Sequence, residues 1–136
     1  MMAFVEWKDQ MSVKVQEIDK QHQALVKLIN GLFDALKEGK GNTIFEKLIS
    51  DLGKYVDIHF STEEKYFEKY GYPEKTAHIL EHKKFLEKVS VFKKEFDAGK
   101  TGLSTQVLEF LRGWLLDHIS GTDKKYSKFF NEKGLN

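Results

Sequence analysis

The side chains with the clearest capacity for chemistry are the histidines, and each lies on the apolar stripe of a segment with helical periodicity. The five are His22, His59, His78, His82 and His118. A single histidine on an apolar face is usually a hydrogen-bonded core residue, because a neutral imidazole needs only one or two partners. Five isolated core histidines would each need a separate buried partner, and these faces offer few polar residues. One shared metal site satisfies all of them together, so the pattern favours metal binding.

Two pairs of candidate ligands are four residues apart, a spacing that places both members on one face of a helix. His59 and Glu63 form one pair, within HFSTE, and His78 and His82 form the other, within HILEH. Glu63 and Asp123 add two inward carboxylates to the imidazoles. Seven donors exceed the four of a tetrahedral zinc site and suit two ions of higher coordination number, bridged by the carboxylates. Imidazole and carboxylate without thiolate favour iron, with manganese as the alternative.

The last two candidate ligands, His118 and Asp123, are five residues apart, a spacing that a regular α-helix does not bring together. Five residues turn an α-helix by about 500°, which leaves the two side chains roughly 140° apart. Two irregularities would direct both to one site. The helix could widen locally to i→i+5 bonding, or it could break at Gly121 and restart at Thr122. The spacing therefore predicts irregular backbone between residues 118 and 123.

Amphipathic helices with short connections must position these ligands. The predicted helices cover residues 19–38, 42–70, 74–97 and a segment from about residue 103, followed by a short helical piece around residues 126–130. Asp19 is placed to cap the first helix, since a carboxylate accepts hydrogen bonds from the free backbone donors there. Such helices predict an all-α fold, an antiparallel up-down-up-down four-helix bundle formed by residues 19–136 as a single domain. Residues 1–18 are predicted to form an N-terminal arm, with Trp7, Val13 and Val15 packing against the bundle.

Composition excludes several other classes of protein. The chain has 136 residues, of which 22 are basic and 21 acidic, a formal net charge of +1 at pH 7, and no cysteine. This charge balance gives no electrostatic footprint for nucleic acid or for contact with an anionic membrane. The lack of thiols excludes disulfides, zinc–thiolate sites and iron–sulfur clusters. No apolar run approaches the roughly 20 residues that span a bilayer, and no secretory signal is recognised, so a cytoplasmic domain is expected.

Four motifs together resemble the bacterial hemerythrin family, including the hemerythrin-like domains of chemotaxis receptors. The motifs are SVKVQEIDKQH, which ends in His22, then HFSTEE, GYPEKTAHILEH and WLLDHISGTDKKY. They occur in that order over nearly the whole chain. The resemblance implies a four-helix bundle around a non-haem diiron centre with an oxo or hydroxo bridge. Such a centre binds O2 reversibly, the diferrous form holding it as a hydroperoxide.

The same resemblance implies a division of the ligands between two irons. One iron is coordinatively full and is held by three histidines, which are His78, His82 and His118. The other is held by His22 and His59 and keeps an open position for O2, or for other small ligands such as azide or NO. The two carboxylates, Glu63 and Asp123, bridge both irons.

An apolar pocket is expected beside the open iron, since dry surroundings slow the loss of bound peroxide. Its predicted lining consists of residues that flank the ligands in sequence, which are Ile119, Leu115, Trp114, Phe60 and Leu25.

Oxygen-activating diiron enzymes are the rival class, and their sites use more carboxylates and a Glu-x-x-His pattern. No glutamate stands three residues before any histidine here. Reversible binding is therefore favoured over enzyme activity, with a diiron oxidase or peroxidase, or iron and O2 detoxification, as the alternatives. The biological role is oxygen or redox sensing or O2 transport, either in a free-standing protein or in a domain of a larger signalling protein.

Overall fold

Helices make up most of the chain that the structure describes. The structure, a computed structural model, describes residues 5–136 apart from the side chains at positions 41, 42 and 120. The helices are α1 (Gln16–Lys37), α2 (Gly41–Tyr70), α3 (Lys75–Asp97), α4 (Leu103–Trp114) and α5 (Lys124–Glu132). An eight-residue π-helical stretch, Leu115–Thr122, joins α4 to α5 and is called the π segment. Helices α1 to α4 form the antiparallel four-helix bundle that the apolar stripes predict, and residues 5–136 contain no β-strand.

The turn between α2 and α3 shows how the sequence ends one helix and reverses the chain. Gly71 has φ 67° and ψ 46°, a left-handed conformation that glycine adopts without a Cβ clash. The backbone N–H of Tyr72 donates to the carbonyl oxygen of Phe67 over 3.0 Å, which closes the helix end. Pro73 cannot continue the helix. The next helix therefore starts at Lys75 and carries its two histidines back alongside α2.

The apolar interior has two parts, with the histidines between them. The larger part fills the bundle along α1 to α4 and includes Leu25, Phe60 and Ile119. The smaller part joins the arm, the end of α2 and α5, and its buried members are Val13, Val15, Ile18, Tyr66, Phe67, Tyr72, Tyr126 and Phe130. Polar ligands are thus enclosed by apolar side chains on both sides. None of the helices within the described range has the length and apolar content that crossing a bilayer requires.

The described residues before α1 pack on the bundle. Of the arm predicted over residues 1–18, residues 1–4 lie outside the described residues, and residues 16–18 belong to α1. Val13 and Val15 are buried, and Trp7 is half-buried against the larger part of the core. A 3-10 turn, Asp9–Met11, lies within the arm.

The prediction that Asp19 caps α1 is wrong, because α1 begins at Gln16 and Asp19 lies within its first turns. The Asp19 carboxylate instead accepts hydrogen bonds from the arm, from the Ser12 hydroxyl over 2.5 Å and the Val13 backbone N–H over 2.8 Å. The reason is that the chain folds back on α1 at Lys14, whose φ is 58°, and this brings the arm within reach of the carboxylate. Asp19 therefore holds the arm to α1.

Candidate metal centre

Seven potential metal ligands meet between the two parts of the core. Helix α1 supplies His22, α2 supplies His59 and Glu63, α3 supplies His78 and His82, the π segment supplies His118, and Asp123 follows it directly. Every one of these residues is at most 2% exposed. The structure thus brings together all seven residues that the sequence analysis proposed as ligands.

The seven residues form two groups of candidate ligands. One group is Glu63, His78, His82 and His118, and the other is His22, His59, Glu63 and Asp123. Within each group, one ligand atom from every residue lies within 4.8 Å of the others. We call them the three-histidine group and the two-histidine group.

The two carboxylates lie across the boundary between the groups. Asp123 Oδ1 is 2.8 Å from His78 Nε2 and 2.9 Å from His118 Nε2, while its Oδ2 is 3.0 Å from His22 Nε2. Glu63 belongs to both groups, and its Oε1 is 3.1 Å from Nε2 of His59 and 3.2 Å from Nε2 of His82. A carboxylate in either position can contact an ion on each side.

The π segment brings His118 and Asp123 to the same centre. The Asp123 backbone N–H donates to the His118 carbonyl oxygen over 2.7 Å, an i→i+5 bond. The predicted irregular backbone between residues 118 and 123 is confirmed, in the form of a widened helix. The alternative, a break at Gly121, is wrong, since Gly121 continues the π segment.

The atoms that face the centre fit a bound cation. Among the described residues, no hydrogen-bond partner is found for a set of buried atoms comprising Nε2 of His78, His82 and His118, Oε1 of Glu63, and both carboxylate oxygens of Asp123. Each buried polar atom left without a partner costs about 1–3 kcal/mol, and a cation would satisfy all of them. Ligands about 2.1 Å from one ion and at right angles lie about 3.0 Å apart, which matches the spacing of these atoms. The donor set of nitrogen and oxygen suits iron among the first-row metals.

Charge within the centre keeps the carboxylates ionised. Burial raises the pKa of Asp123, but the close imidazoles of His118, His22 and His78 outweigh burial and hold it well below the ordinary value. Burial and the nearby Asp123 raise the pKa of Glu63, yet the imidazoles of His59 and His82 bring it below its usual range. Both carboxylates are therefore available as anionic ligands.

The pKa values of His118 and His59 shift in opposite directions. Burial lowers the pKa of His118, but Asp123 outweighs burial and the net shift is upward. Burial lowers the pKa of His59, and the net shift stays downward. His59 is therefore neutral at pH 7, the form in which an imidazole binds a metal.

Three side chains that the sequence analysis did not single out contact the outer nitrogens of the histidines. Their hydrogen bonds join His59 to Gln21, His82 to Glu64 and His118 to Glu81. Each contact crosses from one element to another, although each partner is also next to a ligand in the sequence. That adjacency, a polar residue beside a ligand on the flank of a stripe, is the signal that could have identified them.

Two tyrosines lie close to the carboxylates. Tyr126 donates its phenolic hydrogen to Glu63 Oε2. Tyr55 packs face to face on His59, with ring centroids 5.3 Å apart, and its buried hydroxyl has no hydrogen-bond partner within residues 5–136. Burial raises the pKa of both phenols well above the ordinary value, so both remain protonated.

The residues predicted to line a ligand pocket belong to the larger part of the apolar core or pack against it. Leu25, Leu115 and Ile119 are fully buried. The Phe60 ring stacks on His82 at 3.8 Å between centroids, and the half-buried Trp114 ring stacks on His118 at 3.9 Å. These two aromatic rings therefore lie against the three-histidine group.

The chain is similar to a family of known sequences and to solved structures. Residues 13–130 match the family model described as the Hemerythrin HHE cation binding domain. The bacteriohemerythrin of Pseudomonas aeruginosa is 34% identical over 125 residues, which cover 92% of this chain and 80% of that relative. The bacteriohemerythrin of Clostridium acetobutylicum is 32% identical over 124 residues, covering 88% of this chain and 96% of that relative. A crystal structure of wild-type hemerythrin matches with a TM-score of 0.84 at 31% identity, covering 93% of this chain and 97% of the other.

Proposed function

Because the chain belongs to the hemerythrin family, we propose that its buried centre holds two iron ions and binds O2 reversibly. The observation that carries this proposal is the pair of ligand groups that share Glu63 while Asp123 contacts both. In this proposal three histidines, His78, His82 and His118, hold one ion. His22 and His59 would hold the other, and Glu63 and Asp123 would serve both as anionic ligands.

The two-histidine group is the proposed binding side for O2, because it has one imidazole fewer. An ion held there would be the one to bind O2, or azide or NO. Two ferrous ions supply the electrons for reversible O2 binding. The chain's own part is to fix the ligands and to exclude water. We assign the exclusion of water on the O2 side to Leu25, Leu115 and Ile119, while the rings of Phe60 and Trp114 cover the three-histidine group. Because the side chains of Leu25, Leu115 and Ile119 are aliphatic, they would offer bound O2 no proton that promotes its loss.

We propose binding rather than enzymatic turnover. The centre contains five imidazoles and two carboxylates, so fewer negative charges surround the metal than in carboxylate-rich diiron enzymes. High-valent iron is correspondingly less stabilised, and cleavage of the O–O bond is disfavoured. A diiron oxidase or peroxidase, and iron or O2 detoxification, are the competing functions for the test below.

For the biological role we favour oxygen or redox sensing over O2 transport, because the N-terminal arm is bonded to α5. The Ser127 hydroxyl donates to the Val13 carbonyl oxygen over 2.6 Å, and Asn131 Nδ2 donates to the Lys14 carbonyl oxygen over 3.0 Å. Helix α5 begins directly after Asp123, so a shift of this ligand reaches the arm through one short helix.

Cleavage of the arm by protease at different rates in the reduced and oxidised states supports sensing. Equal rates support transport. A cytoplasmic location and a place in a larger signalling protein stay predictions.

The proposed function is tested by loading the protein with ferrous iron under anaerobic conditions. We expect two irons per chain, a visible absorption band on exposure to O2, and loss of that band under vacuum. A Glu63→Gln variant should bind less iron, since the shared anionic ligand is removed. One iron per chain, or none, would refute the diiron centre. A band that decays irreversibly while an added reductant is consumed would establish the enzyme instead.

A further inference from the structure

Two of the three outer nitrogens of the three-histidine group face charged partners. His82 Nδ1 is 3.0 Å from Glu64 Oε2, and His118 Nδ1 is 3.2 Å from Glu81 Oε1. Since the Nε2 atoms of both histidines face the centre, each Nδ1 carries the hydrogen and donates it to a carboxylate. Two of the three imidazoles in this group are therefore hydrogen-bonded to an anion.

The outer nitrogens of the two-histidine group have no carboxylate partner. His59 Nδ1 is 2.7 Å from the amide oxygen of Gln21. His22 Nδ1 is buried and has no hydrogen-bond partner within residues 5–136. In this group the outer nitrogen of His59 thus has a neutral acceptor, and no acceptor for that of His22 is found among the described residues.

The orientation of the Gln21 amide is fixed by its second contact. Its Nε2 donates to the Thr62 hydroxyl over 3.1 Å, and that hydroxyl donates to the Ile58 carbonyl oxygen over 2.8 Å. With its hydroxyl hydrogen committed to the carbonyl, Thr62 can only accept from Gln21. The amide must therefore present its oxygen to His59, which settles the usual ambiguity between amide oxygen and nitrogen.

A carboxylate acceptor and an amide acceptor affect an imidazole ligand differently. A hydrogen bond to an anion draws the Nδ1 hydrogen away, which makes Nε2 a stronger electron donor. A stronger donor stabilises the ferric state of the ion more than the ferrous state. A neutral amide orients the ring with little of this effect. Glu64 and Glu81 are 38% and 39% exposed, so their direct charge effect is screened by solvent and the hydrogen bond is the main path.

We propose that Gln21, Glu64 and Glu81 set the two irons at different reduction potentials, with the iron of the three-histidine group oxidised first. This inference rests on the diiron centre proposed above. The neutral Gln21 keeps the iron of the two-histidine group in the ferrous state over a wider range of potential, and that is the side proposed to bind O2. Gln21 is accordingly a positioning and tuning residue that acts through His59.

Isosteric substitutions test the inference on the iron-loaded protein. Gln21→Glu adds a charge to the two-histidine group, while Glu64→Gln and Glu81→Gln each remove one from the three-histidine group. Two exposed residues provide matched controls, Gln23→Glu on α1 beside His22 and Glu87→Gln on α3. The two one-electron potentials are measured by potentiometric titration, with electron paramagnetic resonance reporting the one-electron-oxidised form.

Gln21→Glu is expected to lower the higher of the two potentials, and the Glu→Gln variants to raise the lower one. Both changes reduce the difference between the two one-electron potentials. The equilibrium constant for forming the one-electron-oxidised state should therefore fall by about tenfold or more, the size of effect that residues hydrogen-bonded to metal ligands have at other metal sites. The controls should change neither potential. The mean of the two potentials should therefore fall in Gln21→Glu and rise in the Glu→Gln variants. In all three variants the difference between the two potentials should become smaller.

Iron content separates failure of this inference from failure of the proposed function. A wild-type protein without two irons refutes the diiron centre itself. With two irons bound, equal shifts of both potentials, or shifts no larger than in the controls, overturn the assigned tuning. If one variant loses iron, the potentials of the other two variants test the inference. Loss of iron from all three also overturns the inference, because their role would then be assembly.

Discussion

Tyr126 donates a hydrogen bond to Oε2 of Glu63, the carboxylate that both ligand groups share. This contact leaves Oε1 of Glu63 directed at His59 and His82. A helix that follows the last ligand in the chain thus orients a ligand on α2.

Tyr126→Phe should destabilise the iron-loaded protein, because it leaves a buried carboxylate oxygen without its donor. The expected loss is about 1–3 kcal/mol in the free energy of unfolding, measured by denaturant titration. Tyr55→Phe is the matched control, since it removes an equally buried hydroxyl that has no partner among residues 5–136. That variant should be neutral or slightly stabilising. Equal losses for both would contradict the importance of the Glu63 contact.

The π segment yields a prediction about the spacing between ligands. Deleting Gly121 places the aspartate four residues after His118, the spacing of His59 and Glu63, so an ordinary α-helix would present both ligands on one face. Inserting one alanine after Gly121 makes the spacing six, which turns the aspartate roughly 120° away.

We expect the deletion variant to bind two irons and the insertion variant to bind fewer, as counted by metal analysis of the purified proteins. If both variants bound two irons, Asp123 would not be a ligand.

Removing iron should lower the thermal stability of the bundle. The seven candidate ligands are buried together, and binding of a cation to the folded state adds stability by mass action. At a free iron concentration 100 times the dissociation constant the gain is about 2.7 kcal/mol, or roughly 10 °C in melting temperature. Calorimetry of the loaded and chelator-treated protein measures this difference. A melting temperature that does not respond to chelation would contradict a buried centre.

Leu115→Ala should accelerate oxidation of the O2-bound protein, because a cavity beside the centre admits water. Leu52→Ala is the control. Leu52 is equally buried in the bundle core, and it lies on α2 about two turns before His59, the first ligand on that helix. Both variants should lose about 2–5 kcal/mol of stability. Only the first should shorten the lifetime of the oxygenated form, followed by its visible absorption. Equal lifetimes would remove Leu115 from the pocket.

The sequence predicted the bundle and the ligands because both depend on periodicity. An apolar stripe fixes which side chains point inward, so histidines on that stripe must meet near the bundle axis. Even the π segment was predicted in part, since His118 and Asp123 could share a site only if the helix was irregular.

The remaining contacts depend on which elements lie side by side, and no local pattern contains that information. Asp19 has the residue type and place of a helix cap, but the arm folds back and takes its carboxylate. Gln21 bonds to His59 on another helix rather than to its neighbour His22. Likewise, only the structure shows that the Phe60 ring covers His82.

The ligand order along the chain has a consequence for how the protein opens. His22 lies near the start of α1 and Asp123 lies after the π segment, yet Asp123 Oδ2 is 3.0 Å from His22 Nε2. An ion bound by both acts as a cross-link between distant parts of the polypeptide. In hydrogen exchange, the amides of α1 and α5 should then open together and slowly when iron is bound, and fray independently when it is removed.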